Sequence, residues 1–404
     1  MRILSITAQK PTSTGSGVYL TEVIKSFKKR GHDQAIIYGR MPDDQQMKVE
    51  EEVQASYPVT FMQRDLNFPI AGMSDNMPYR STRYCDFTDE MTANFVSAYF
   101  SQITKAIAEF KPDLIICHHL YLVTAIASHV NKAMMSKSKI IAICHGTDIR
   151  QMKKHQLCKN YIKDGICNLD QVFVLHTDQI DEINNVYGMD LSKIDIIGTG
   201  FNSDVFKSPT EECKRDDKTI IYAGKICKQK GVRELIEACE EISQEISGIK
   251  LVLAGGYSNK EEYDEIAALA KDANADITFT GQVHQGDLAK LYSTSKVFCL
   301  PSFFEGLPLV TLEAIACGCS CVMTDLPGIR QWYVENVKDA PLIFVTPPKM
   351  NNVDVPVLSD LPVFKRHLKE AILEAFKIEG NSHSVDKLSW YSLADRLLEK
   401  VSRI

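Results

Sequence analysis

The chain has 404 residues, enough for two or three domains with sizeable cores. Hydrophobic residues make up 45% and charged residues 24%, an ordinary soluble composition, and 46 Lys+Arg against 52 Asp+Glu give a net charge of −6. The acid excess argues against a general nucleic-acid binder, no run reaches the ~18 apolar residues of a membrane span, and the apolar start turns polar at Gln9-Lys10, too early for a signal peptide. The expectation is a cytoplasmic protein, with peripheral contact at the inner membrane face left open.

Short apolar runs alternate with stretches of helical spacing. The first series covers 3–7, 35–38, 113–117, 139–144, 171–175 and 194–197. The runs are continuous rather than alternating, as in strands buried on both faces, so the pattern predicts a doubly wound parallel sheet. After the first run, Thr14-Gly15-Ser-Gly17 opens a helix and could set backbone N–H groups against a phosphate. It is not a dinucleotide fingerprint: counting from Gly15, the third glycine position is Leu20, and the second run ends Tyr38-Gly-Arg40 without an acid for a ribose. His118-His119 ends the third run and reads as structural. His145-Gly-Thr-Asp148 ends the fourth, at the sheet edge where open α/β folds bind ligands, and His145 is expected to face a cleft. The stretch 41–91 breaks the alternation and is long and mixed, a feature often functional.

The polar, proline-bearing segment 209–217 separates this series from a second one at 219–223, 249–254, 276–280, 296–300, 319–323 and 342–345. Two Rossmann-like domains are therefore predicted, 1–205 and 206–384. An amphipathic helix in 385–404 is expected to cross back and complete the first. The second series opens with Gly224-Lys225 and Lys230-Gly231, which bracket a strand-to-helix loop; two cations there suit a diphosphate. Gly255-Gly256 and Gly281-Gln-Val283 also end strands and admit backbone contacts to a ligand. The strongest signal is Glu305-Gly-Leu-Pro308-Leu309-Val310 with Glu313, another strand–loop–helix junction. Pro308 suits the first helical turn, and the free N–H groups of Leu309 and Val310 form an anion site. Glu313 can accept hydrogen bonds from a ribose, and Glu305 can face a sugar. The twelve cysteines are scattered in apolar runs and read as buried thiols. Cys317-Gly-Cys-Ser-Cys321 lacks zinc-knuckle spacing and falls between a helix and a strand, so no metal site is expected. The proline-rich stretch 347–362 reads as surface elaboration.

Taken together, the Glu-x7-Glu segment, the Gly-Lys…Lys-Gly loop, the Gly-Gly turn and His-Gly-Thr-Asp resemble retaining glycosyltransferase family 4, whose architecture is the two-Rossmann GT-B fold; the resemblance implies that 1–205 holds the acceptor and 206–384 the donor across a cleft. The resemblance implies that Glu305 lies at the donor sugar, Glu313 binds the nucleotide ribose, Lys230 binds the diphosphate and His145 contacts the donor sugar near the reacting carbon. Gly17 matches the glycine loop that approaches donor phosphate or acceptor. Lys225 stands where the family usually has Arg, keeping the charge without the bidentate fork. Asp325-Leu-Pro-Gly328 departs from the family's Gly-Gly-x-x-Glu.

The implied reaction moves a hexosyl group from a nucleotide-diphosphate sugar to an acceptor hydroxyl by front-face displacement, with no metal or other cofactor. A two-step route needs a carboxylate on the opposite sugar face, for which Asp148 is the candidate. The acceptor stays open among sugar, lipid-linked, small-molecule and protein classes. Arg80 and Arg83 in the mixed stretch, and Lys153 and Lys154 after His145, are locally basic and favour an anionic acceptor or membrane surface. Three alternatives compete: a catalytically silent nucleotide-sugar-binding partner of another transferase, a nicotinamide oxidoreductase, which the missing fingerprint disfavours, and a sugar phosphorylase, for which nothing marks a cofactor lysine. Nucleobase, sugar and oligomeric state are not legible.

Overall fold

The structure is a computed structural model that describes residues 1–45, 47–74, 77–209, 214–352, 355–378 and 385–404. It divides into two compact units, Met1–Thr199 with Trp390–Ile404, and Gly200–Ser389. Residues 210–213 of the expected linker lie outside the described residues, and Asp216 already begins a strand.

The first unit is built on strands β1 (Arg2–Ile6), β2 (Asp33–Arg40), β3 (Ala55–Thr60), β4 (Leu114–His118), β5 (Lys139–Ile143), β6 (Gln171–Val174) and β7 (Ile194–Ile196). They form one seven-stranded parallel sheet in the order β3-β2-β1-β4-β5-β6-β7. Helices α1 (Gly15–Lys29), α2 (Asp89–Phe110), α3 (Leu122–Ala133), α4 (Thr147–Lys154), α5 (Lys159–Cys167) and α6 (Asp178–Tyr187) connect them. Every residue of β4 is buried, as continuous apolar runs between two helix layers require. The mixed stretch contributes β3, which carries no apolar run. Its buried residues alternate and it includes Pro58, and both traits belong to an edge strand paired on one side only, against β2.

The second unit repeats the plan. Strands β8 (Asp216–Ala223), β9 (Lys250–Ala254), β10 (Asp276–Gly281), β11 (Ser295–Leu300), β12 (Ser320–Thr324) and β13 (Leu342–Val345) pair in parallel in the order β10-β9-β8-β11-β12-β13. Its helices are α7 (Val232–Glu245), α8 (Lys260–Lys271), α9 (Gln285–Thr294), α10 (Leu309–Ala316), α11 (Ile329–Asn336) and α12 (Leu361–Ala375). The cysteine-rich run is the α10–β12 turn. Gly318 takes φ +82°, where a side chain would press to 2.7 Å from the Arg215 Nη2, and that guanidinium caps the helix through the Cys317 carbonyl at 2.9 Å.

The last helix, α13 (Trp390–Ser402), belongs to the first unit and packs on α1. Trp390 meets Tyr19 edge-on at 4.9 Å, Arg30 lies 3.4 Å over the Tyr391 ring and bonds Asp395 at 2.5 Å, and Lys400 pairs with Asp195 at 2.6 Å. No described helix is long and apolar enough to cross a membrane.

Candidate active site

The sheet order of the first unit makes β1, β4 and β5 neighbours, so the loops at their C-terminal ends meet. After β1, Thr14 caps α1 by accepting the Gly17 N–H at 3.1 Å. A Cβ on Gly17 would sit 2.9 Å from the Thr12 nitrogen, so only glycine fits, whereas Gly15 has open space at its Cβ position. Ser16, between them, bonds His119 Nε2 at 3.0 Å, and His119 Nδ1 lies 3.4 Å from the Thr147 hydroxyl. His145 Nε2 is 3.1 Å from His118 Nδ1, and its ring lies 4.7 Å from that of His119. The glycine loop and His145 thus belong to one constellation, joined by two histidines that the sequence reading took as merely structural. The sequence shows a histidine at the end of one strand and another two residues past the end of the next, but not that these strands pair side by side.

Burial removes water from this cluster. It holds His118 and His145 well below the usual imidazole range, and His119 at about 3, with neighbouring imidazole charge pressing the same way. All three rings are neutral at physiological pH. Tyr19 covers them from α1, edge-on to His145 at 5.2 Å, and donates to the Gly198 carbonyl at 3.3 Å.

Asp148 differs from expectation. It is 0% exposed, accepts the N–H of Leu120 at 2.7 Å and of His145 at 3.3 Å, and burial raises its carboxyl above the usual range. It clasps the ends of β4 and β5 together rather than presenting a carboxylate to a sugar or an acceptor. Arg80 is exposed, and Arg83 is tied to the exposed Asp86 at 2.7 Å. Lys153 is likewise paired, with Glu182 at 2.5 Å.

In the second unit the loops after β8, β9 and β11 come together. Gly255 approaches the Gly224 carbonyl, and Gly231, at φ +63°, faces the Pro301 carbonyl; a Cβ would overlap the oxygen in either case. These close approaches bring the lysine loop beside the Glu305 loop. Lys230 Nζ pairs with Glu305 Oε1 at 2.6 Å and reaches the Phe304 carbonyl at 3.4 Å, and the Ser302 hydroxyl donates to the same carboxylate oxygen at 2.7 Å. Lys225 is half-buried, and desolvation, with the Lys230 charge in support, lowers its ammonium below the usual lysine range. α10 starts at Leu309 behind Pro308, so the first-turn amides of Leu309 and Val310 carry the orphan donors of a helix N-terminus. Glu313, one turn further along, is 6% exposed. Gly281, at φ +68°, and Val283 form an accessible turn after β10.

Residues 13–205 match the family model described as Glycosyltransferase Family 4, and residues 206–350 match that of Glycosyl transferases group 1. The protein belongs to glycosyltransferase family 4. This glycosyltransferase is 24% identical over 330 residues to N-acetyl-alpha-D-glucosaminyl L-malate synthase of Bacillus anthracis, covering 80% of this chain and 78% of that one. It is 28% identical over 171 residues to D-inositol 3-phosphate glycosyltransferase of Mycobacteroides abscessus, covering 40% of this chain and 38% of the relative. Among solved structures, HepE of Anabaena in complex with UDP-glucose superposes with a TM-score of 0.68 at 13% identity, each chain covered in full (100%). Sucrose-phosphate synthase of Thermosynechococcus elongatus gives 0.66 at 17% identity, over 100% of this chain and 98% of that one. Both likenesses establish the GT-B fold.

Proposed function

We propose that this glycosyltransferase moves a hexosyl group from a nucleotide-diphosphate sugar to an acceptor hydroxyl with retention of anomeric configuration, and that it does so without a metal. The observation that carries the reading lies in the second unit: Glu305 holds Lys230 in place on the loop that leads into the N-terminus of α10. In this reading Lys225, Lys230 and the Leu309 and Val310 amides hold the diphosphate, Glu313 takes the ribose hydroxyls, and backbone groups at Gly281 and Val283 meet the base. Glu305 and His145 meet the sugar, and the Gly15–Gly17 turn approaches phosphate or acceptor. The bond from the anomeric carbon to the diphosphate oxygen breaks as the acceptor oxygen attacks from the same face. The acceptor's proton passes to the departing phosphate oxygen. Fixed positive charge stabilises the leaving group where its negative charge grows. The buried, bonded Asp148 offers no nucleophile, which favours the one-step route over a glycosyl-enzyme.

The relatives named for L-malate and D-inositol 3-phosphate both take their sugar to anionic acceptors. An anionic small molecule is accordingly the acceptor class proposed here. Arg80 is the contact to test first, since Arg83 is already paired. A thermal-shift panel of UDP-, GDP-, ADP- and TDP-sugars tests the donor reading. Stabilisation by one nucleotide class, lost in Lys230→Met, is expected; no response to any of the four contradicts it.

A further inference from the structure

Behind the histidine cluster lies a small chamber bordered by Gln9, Met73, Tyr84, His118 and Tyr121. Its volume, about 10 Å³ for the centre of a water-sized sphere, is that of a single-water site. Two buried polar atoms on its bordering residues, His118 Nε2 and Tyr121 Oη, have no hydrogen-bond partner among the described residues. Their residues are 4% and 2% exposed. Such groups are rarely left unsatisfied in a folded core, and a buried water is the usual remedy.

We propose that one structural water in this chamber joins Tyr121 Oη to His118 Nε2, and that Tyr121 and His118 are thereby positioning residues that fix the tautomer of His145. A neutral imidazole has one donor and one acceptor, so the 3.1 Å His118–His145 contact locks the two tautomers together. Tyr121 donates its hydroxyl proton to the water, and the water donates to His118 Nε2. His118 then carries its proton on Nδ1 and donates to His145 Nε2. His145 is left with its proton on Nδ1, presenting an N–H rather than a lone pair. The Tyr121 O–H has no acceptor among the described residues, so it donates to the water, which spends one of its own protons on the unpartnered His118 Nε2. The backbone supports the same geometry: the Asp148 carboxylate holds the His145 and Leu120 amides on either side of it.

The catalytic consequence rests on the reading of His145 as a contact of the donor sugar; the tautomer itself does not. The test uses the full chain labelled with 15N-histidine, without ligand, because imidazole nitrogen shifts separate Nδ1–H from Nε2–H. The wild type is expected to hold His145 as Nδ1–H. Tyr121→Phe keeps the ring but removes the donor, and is expected to move His145 toward Nε2–H. It should also lower kcat for donor turnover by about tenfold, the low end for loss of an orienting partner, with the donor KM unchanged. His118→Asn, whose amide reaches close to the Nδ1 position, should preserve the His145 tautomer, and His118→Leu should not. An Nε2–H tautomer in the wild type, or one unmoved in both Tyr121→Phe and His118→Leu, overturns the proposal. A shifted tautomer with unchanged kcat overturns the positioning role. If Nδ1–H is found in a wild type that turns over no nucleotide sugar, the tautomer lock stands and the donor reading is what fails.

Discussion

Replacing Lys230 with methionine removes one charge and keeps an unbranched side chain one heavy atom shorter. Its ammonium lies 2.6 Å from Glu305 and the side chain is 25% accessible, so it is ordered before any ligand arrives. An effective dielectric of about 20 suits such a site, and an ammonium about 4 Å from a departing phosphate oxygen then contributes about 4 kcal/mol. Measured losses for one preorganised donor, about 10² to 10³ in kcat, agree with that figure. The substitution also leaves Glu305 with only the Ser302 hydroxyl among its named partners. A side chain 15% accessible falls between the exposed and buried ion-pair regimes, so the folding cost should be about 1–2 kcal/mol. Nucleoside diphosphate release from the cognate donor, followed beside thermal melting, separates the two effects. A folded Lys230→Met with kcat down by about 10² to 10³, partly restored in Lys230→Arg, is expected. A folded variant at wild-type rate refutes the leaving-group argument.

Three further outcomes follow from the geometry. Gly231→Ala must hold φ +63° against the Pro301 carbonyl and should destabilise the second unit by more than ~2 kcal/mol in denaturant melts; a neutral result would mean the two loops do not pack as described. Asp148→Ala strips one buried and one part-buried backbone N–H group of their acceptor and should cost about 1–4 kcal/mol, whereas an acceptor contact would alter only KM for the acceptor. The three histidines, with folded pKa values below the unfolded ~6.5, are neutral in the native state and must gain protons on unfolding as pH falls. Their stabilisation is fully present above pH ~6.5 and is lost below it, at up to about 1.4 kcal/mol per pH unit for each ring. Asp148, whose pKa is raised, opposes this with a single proton. Melts between pH 7 and pH 5 that show no loss of stability, or a gain, contradict the neutral cluster.

The doubly wound plan was legible because buried parallel strands are written as unbroken apolar runs, and each of the twelve predicted runs overlaps a strand of the two sheets. β3 was not legible, since an edge strand needs no such run and carries Pro58. Glycines and charges at strand ends marked the loops of the second unit, where local chemistry suffices: glycine-enforced approaches set Lys230 against the Glu305 loop that leads into α10. The histidine cluster depends on strand order instead. His118 and His145 are 27 residues apart and meet only because β4 and β5 are neighbours. Asp148 was misplaced for the converse reason. An acid beside a candidate histidine looks chemical in sequence, and only burial and two backbone N–H donors show that it fastens strand ends.

The most direct measurement incubates the purified chain with the nucleotide sugar that stabilises it and an anionic acceptor, and reads the anomeric configuration of the product by NMR. The account predicts nucleoside diphosphate release and a product with the donor's configuration, undiminished by a metal chelator. An inverted product, or turnover abolished by chelation and restored by a divalent cation, contradicts it.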